Sequence, residues 1–291
     1  SRIAISGGLG SLGLLIAQWL AQQGVQHILL LARSARTTSA ASQHLRQLWH
    51  GRTQACVCAC DAGCAEDVAA ALSPLSSSQQ QQQQHPMPPL AAILHAGGVL
   101  ADATLRNQSL PGLRKVLGAK VAGLPHLLGA AQLQPGAHHV LFSSVASLLG
   151  SPGQSNYSAA NAALDAAASS WQHAGMPAVS VQWGAWAGGG MAAGDASTAA
   201  RVERNGMSLI QPAQGLQALA GKMTCKQREA CLVGGLGIRQ HYLRLDHANY
   251  LLVSQLTLQD SVHLLFLIFA LSCMHAGKQH ADGRGPICEC E

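Results

Sequence analysis

The segment Gly8-Leu9-Gly10-Ser11-Leu12-Gly13 limits what this chain can fold into more than any other stretch. It follows a short apolar run, residues 2–6, and opens a stretch that reads as helix through Gln23. Glycines at this spacing let the chain turn sharply, let the backbone approach a pyrophosphate and let the helix pack closely on the strand. The helix that starts there presents free N–H groups and the positive end of its dipole to the same point. A dinucleotide suits such a turn, and Gly7, Gly8, Gly10, Ser11, Leu12 and Gly13 are the residues expected to touch it.

The rest of the chain continues the pattern. Further strands are predicted over 27–32, 54–60, 90–95, 139–143 and 178–183, with helices over 65–73, 110–133 and 156–174. Strand and helix alternating in this way predict an α/β fold: a Rossmann-type, doubly wound parallel sheet with helices on both faces. Residues 76–89 (SSSQQQQQQHPMPP) break the pattern. Such low-complexity sequence cannot bury a core and reads as an insertion on the surface.

Charge and cysteine usage exclude several function classes. The net charge is +5 over 291 residues, with no dense Lys/Arg run, so nucleic acid is not an expected partner. Cys56, Cys58, Cys60 and Cys64 lack the paired CxxC knuckles of a zinc site and read as core cysteines, with no metal expected. A reduced, cytoplasmic setting is the default expectation, since no targeting segment is visible. The chain starts at Ser1 without an initiator Met, so we expect a fragment of a longer polypeptide or an incomplete gene model. Residues 262–273 (VHLLFLIFALSC) are too short to span a bilayer comfortably, and no membrane is expected.

The strand ends refine the cofactor. Where an NAD binder of this architecture carries Asp or Glu, this chain has Arg33 followed by Ser34. An arginine pairs with a 2′-phosphate bidentately, which favours NADPH over NADH. Asp61 could accept from an adenine amino group or cap the next helix. His95 reads as a packed strand-end histidine, and Ala96 and Gly97 let the backbone pass close to the cofactor.

Four polar residues complete the pattern. Tyr157 lies thirteen positions after Ser144 and four before Asn161, one helical turn away, and Lys120 lies thirty-seven positions upstream on the preceding helix. With these, the chain resembles the short-chain dehydrogenase/reductase superfamily, and within it the ketoreductase domains of polyketide synthases and animal-type fatty-acid synthases. Most superfamily members carry Tyr-x-x-x-Lys with an upstream Asn. Here the Lys and Asn are exchanged, as they are in the synthase domains. SGGLGSLG, LLLARS, LHAGGVLAD, LFSSVAS, GQSNYSAANAALDA and VQWGAWAGGGM are similar to the family as well. Ser6, Ser11 and Gly97 differ from the commonest family residues, but no chemical group that the reaction needs is lost.

The resemblance implies NADPH-dependent reduction of a β-ketoacyl thioester, presented on the phosphopantetheine arm of an acyl carrier protein among neighbouring synthase modules. Tyr157 would give the proton. Lys120 would lower the phenol's pKa and hold the nicotinamide ribose, Ser144 would hydrogen-bond the carbonyl oxygen, and Asn161 would orient Lys120 or a water. Asp102 is the retained last residue of a Leu-Asp-Asp product-class motif. Leu149 occupies the position of the opposite class's Trp, so a D-configured alcohol is expected. Residues 184–210 correspond to a lid, with Met191 against the acyl chain. The reductase domain is expected over 1–245. Residues 246–291 form an atypical tail, read first as a mispredicted exon or read-through, with a packed helix or a peripheral anchor as alternatives. Two other functions remain open: a free-standing reductase of small ketones or quinones, and a non-catalytic structural domain of a synthase.

Overall fold

Parallel strands covered on both faces must be apolar almost throughout, and the sequence supplies several such runs. β1 (Arg2–Ser6), β2 (His27–Ala32), β4 (Leu90–His95) and β6 (Ala178–Trp183) are buried at nearly every position. With β3 (Gln54–Ala59), β5 (Leu133–Ser144) and β8 (Cys231–Val233) they form a seven-stranded parallel sheet in the order β3-β2-β1-β4-β5-β6-β8. The structure, a computed structural model, describes residues 1–49, 51–72, 88–188, 207–224, 231–233 and 235–236, all within one unit, Ser1–Tyr242.

Alternation along each strand divides the core between the two faces. Ile3, Ile5, Ile28, Leu30 and Leu94 meet Leu14, Ile16 and Leu20 of α1 (Ser11–Gln22) and Leu45 and Leu48 of α2 (Ser39–Trp49). On the other face, Ala4, Leu29, Leu31 and Ile93 meet Val68 and Leu72 of α3 (Ala65–Leu72) and Leu127 of α5 (Gly123–Ala130). The doubly wound sheet expected from the alternation is therefore present. Helix α2, whose QHLRQLW segment carries few apolar residues, was not foreseen.

Three expectations need correction. Cys56 is exposed, Cys58 is half-buried and Cys60 is buried, because β3 is an edge strand with one face open at Cys56. The single helix expected over 110–133 is three pieces. α4 (Leu110–Leu117) is capped by Ser109, which accepts from Gly112 N at 3.2 Å; a π-helical turn follows at Gly118–Ala122, and then α5. The chain next enters β5 at Leu133, which pairs with Leu90, and Gly136 at φ 74° lets the strand bulge before it pairs regularly from His138. Met191, most of the expected lid, most of the poly-Gln insertion and the whole tail 246–291 lie outside the described residues.

Beyond β6 the chain runs past Trp186 to β7 (Met207–Ser208) and α8 (Pro212–Thr224). Trp186 is buried with its ring centroid 5.0 Å from that of Trp183. It lies so close to Gly215 of α8 that a Cβ there would run into the indole. Gly215→Ala is therefore expected to destabilise the fold by at least about 1 kcal/mol through overpacking, read as a lowered melting temperature. An unchanged melt would show that Trp186 moves aside freely.

Candidate active site

In a doubly wound sheet the ligand crevice opens at the carboxyl ends of the strands where the order reverses, here between β1 and β4. The glycine turn closes one side of it. Gly7, at φ 70°, makes the sharp turn, and a Cβ there would meet Ala96 O and Gly97 Cα at 2.9 Å. The reading that gave the turn to the first glycine of the motif is corrected: Gly8 instead packs on β2, where a Cβ would stand 2.7 Å from Leu30 Cβ. Gly13 packs on the carbonyl of Gly7. Around Gly10 a Cβ would meet only Gly7 O, at 3.1 Å. Gly10 is the N-cap of α1 and gives no side-chain cap, so the first amides of α1, at Ser11, Leu12 and Gly13, sit at the turn. The cradle fits the pyrophosphate of a dinucleotide.

The adenosine-side candidates lie at the ends of β2 and β3. Arg33 and Ser34 are exposed, and Ser34 Oγ accepts from Arg36 N at 3.1 Å. Asp61 Oδ1 accepts from Gly63 N at 3.0 Å, and the Asp61 amide donates to Asp67 Oδ2 at 2.9 Å. Asp61 thus closes a turn ahead of α3 and does not cap the helix itself.

The polar quartet converges from three elements. β5 ends at Ser144, the π-helical turn holds Lys120, and α7 (Ser155–His173) holds Tyr157 and Asn161. In α7 the buried residues Tyr157, Ala160, Asn161, Leu164 and Ala168 form one stripe at helical spacing, which fixes the face turned inward. Lys120 is only 3 % exposed; its ammonium donates to Phe142 O at 2.8 Å and stands 5.5 Å from the Tyr157 ring centroid. Burial lowers its pKa to about 8, against an opposing pull from Asp165. Asn161 is fully buried: its Nδ2 donates to Tyr157 O at 2.8 Å, and among the described residues Oδ1 has no hydrogen-bond partner, Lys120 included. Ser144 Oγ accepts from Ala146 N at 3.2 Å.

The phenol differs from expectation. Tyr157 is raised above its ordinary value, chiefly by burial and also by Asp102, while Asn161 and Ser144 act in the opposite direction. Lys120 lies beside the ring, and the net shift of the resting phenol is still upward because burial dominates. Asp102 is held by Gln154, whose Nε2 donates to it at 2.9 Å. Leu149 is exposed at the end of α6 (Ala146–Leu149).

Two residues that sequence reasoning left aside belong to this site. His95 is the packed histidine expected, but it also joins the two halves of the crevice. Its ring lies 2.6 Å from Ser6 Oγ and 2.9 Å from Lys120 O. A carbonyl only accepts, so Nε2 carries the proton and Nδ1 accepts from Ser6. Burial, helped by the Lys120 charge, lowers the His95 pKa to about 4 and keeps the ring neutral. Asp165, one helical turn beyond Asn161, accepts from Ser147, Ser180 and Gln182. Its place at the fourth position after Asn161 was the available signal.

A folded pKa of about 8 for Lys120 lies below the ordinary value of about 10.4. Burying the ammonium therefore destabilises the fold fully below pH 8, and this cost fades between pH 8 and about 10.4. Lys120→Met, which keeps the stem and removes the charge, is expected to melt no lower than the parent at pH 6, with the difference shrinking at alkaline pH. A much lower melt for the variant at pH 6 would contradict a costly buried charge.

Comparison with known proteins agrees with this geometry. The KR domain family matches residues 1–188. Polyketide synthase GfsB of Streptomyces halstedii is 37% identical over 218 residues, covering 75% of this chain and 4% of that protein. The PikAIII component of the pikromycin synthase of Streptomyces venezuelae is 33% identical, covering 75% of the chain and 13% of that protein. The chain thus spans a small part of these relatives. Among solved structures, an A-type ketoreductase from a modular polyketide synthase superposes with a TM-score of 0.71 at 32% identity, covering 81% of this chain and 47% of that one. The ketoreductase of the first phoslactomycin module from Streptomyces sp. HK803 gives 0.70 at 29%, covering 81% and 53%. An NAD+-bound xylitol dehydrogenase, at 18% identity and a TM-score of 0.63, shares the fold. With motif, topology and relatives in agreement, the chain belongs to the ketoreductase domain family of polyketide synthases, in the short-chain dehydrogenase/reductase superfamily.

Proposed function

We propose that this domain reduces a β-ketoacyl thioester, carried on the phosphopantetheine arm of an acyl carrier protein, to the β-hydroxyacyl thioester with NADPH. The reading rests on one observation. A buried phenol, Tyr157, has the Lys120 ammonium 5.5 Å from its ring centroid, and Lys120 is tied through His95 and Ser6 to the glycine turn.

The turn and the first amides of α1 bind the pyrophosphate, and exposed Arg33 with Ser34 receives the 2′-phosphate. Asp61, Ala96 and Gly97 line the path between the two ends. Bound NADPH supplies a hydride to the β-carbonyl carbon. Ser144 holds the carbonyl oxygen as negative charge develops on it. Tyr157 carries its proton at neutral pH as any phenol does, and burial makes it a still weaker acid at rest. It releases the proton only to the far more basic alkoxide. The Lys120 ammonium then stabilises the phenolate as it forms, at low dielectric, where a nearby charge counts most. Asn161 Oδ1 is an acceptor that a bridging water can satisfy on the path that restores the proton.

Asp102 and Leu149 at the substrate side favour the D-configured alcohol, with Met191 of the lid against the acyl chain. The polyketide relatives support carrier-bound substrates and neighbouring modules as partners; a fatty-acid context is a further reading of the same chemistry. Among the described residues no helix is long and apolar enough to cross a membrane.

The test uses a carrier-bound β-ketoacyl thioester with NADPH or NADH and chiral analysis of the product. The parent is expected to prefer NADPH and give the D alcohol. Tyr157→Phe is expected to lose at least about a hundredfold in turnover while still binding NADPH. Retained turnover in that variant would show that the proton comes from elsewhere.

A further inference from the structure

Asp165 has no part in the chemistry above, yet three polar side chains converge on it. Ser180 Oγ and Gln182 Nε2, both on β6, donate to it at 2.5 and 2.9 Å. Ser147 Oγ of α6 lies 2.7 Å from its Oδ2. The same Ser147 hydroxyl lies 2.8 Å from the carbonyl of Ser144, and Gln182 Nε2 also reaches it, at 3.2 Å. One carboxylate therefore binds the turn that carries Ser144, the neighbouring strand and the helix that carries Tyr157. Asp165 follows Tyr157 and Asn161 at intervals of four on α7, so all three lie on one side of the helix.

We propose that Asp165 is a positioning residue for the reduction: it clamps the Ser144 turn and β6 against α7 and sets a half-buried carboxylate on the side of the helix that carries Tyr157 and Asn161. The proposal rests on the Tyr157–Lys120 reading of the site. A carboxylate held by hydroxyl and amide donors, with no cation bonded to it among the described residues, keeps its charge for the field around it. The Asp165 charge pulls Lys120 toward its charged form against burial. The groups facing Lys120 can be named. β4 contributes neutral His95, which Lys120 pushes further toward neutrality. α7 contributes Tyr157 and Asp165, and β5 contributes the uncharged Phe142 carbonyl. Asp102 acts on Tyr157.

Removing the Asp165 charge makes Lys120 lose its proton at lower pH. Reduction needs the ammonium, so the alkaline limb of the rate profile must move toward acid. Asp165→Asn, checked by a parent-like melting curve, is expected to move that limb down by roughly one unit, with the rate deficit shrinking again below pH 6. Ser147→Ala removes a bond and no charge, so it is expected to lower kcat with the limb in place. If Asp165→Asn does not fold, Asp165→Glu keeps the charge and displaces the clamp; a lowered kcat with an unmoved limb is expected. An unmoved limb in folded Asp165→Asn, or full activity in Asp165→Glu, overturns the proposal. Activity in Tyr157→Phe would overturn the site reading beneath it, a separate outcome.

Discussion

Holding an ammonium away from water is costly, and most of this site is arranged around one that is held so. Lys120 lies almost wholly inside the protein with a backbone carbonyl as its bonded partner, and its pKa falls to about 8. A lysine in water would be a stronger base, surrounded by solvent that screens its field. Buried, it acts on Tyr157 at low dielectric, and the cost of desolvation is offset by packing elsewhere in the sheet and helices. The π-helical turn at Gly118–Ala122 carries this residue, and such turns often accompany functional sites. There the Lys120 carbonyl is free to meet His95.

The fold explains why these groups come together. A parallel sheet places every strand's carboxyl end on one edge, and the reversal of order between β1 and β4 opens the crevice. Ser6 and Gly7 stand at the end of β1, His95 at the end of β4, and Ser144 at the end of β5. Residues far apart in sequence become neighbours because each ends a strand on the same edge. His95 then links β1 to the Lys120 turn with one neutral ring, fixed by its two partners in a single tautomer.

Much of this was legible in the residues. The strand–glycine–helix opening and the period of the apolar runs specify the sheet, and the Ser144, Tyr157, Asn161 and Lys120 spacing specifies the quartet. What was not legible depended on neighbours distant in sequence. Cys56 alternates like a core residue, but β3 is at the edge, and strand order is not written in β3 itself. The sharp turn moved from Gly8 to Gly7 because Ala96 and Gly97 approach from β4. Tyr157 was expected to have a lowered pKa because a lysine was near; burial, which spacing does not reveal, outweighs that and raises it. Asp165 sat in plain view on the Tyr157 face, but its meaning comes from Ser147, Ser180 and Gln182, which only folding brings to it.

The central claim is a charged amine at low dielectric next to a phenol, and the most direct measurement is the titration of Lys120 itself. Isotope-labelled lysine side chains in the full chain, followed by NMR as pH rises, are expected to show one amine losing its proton near pH 8. That signal should vanish in a variant lacking Lys120. If every lysine instead titrates near the ordinary value of about 10.4, Lys120 is solvated and the account of the site is wrong.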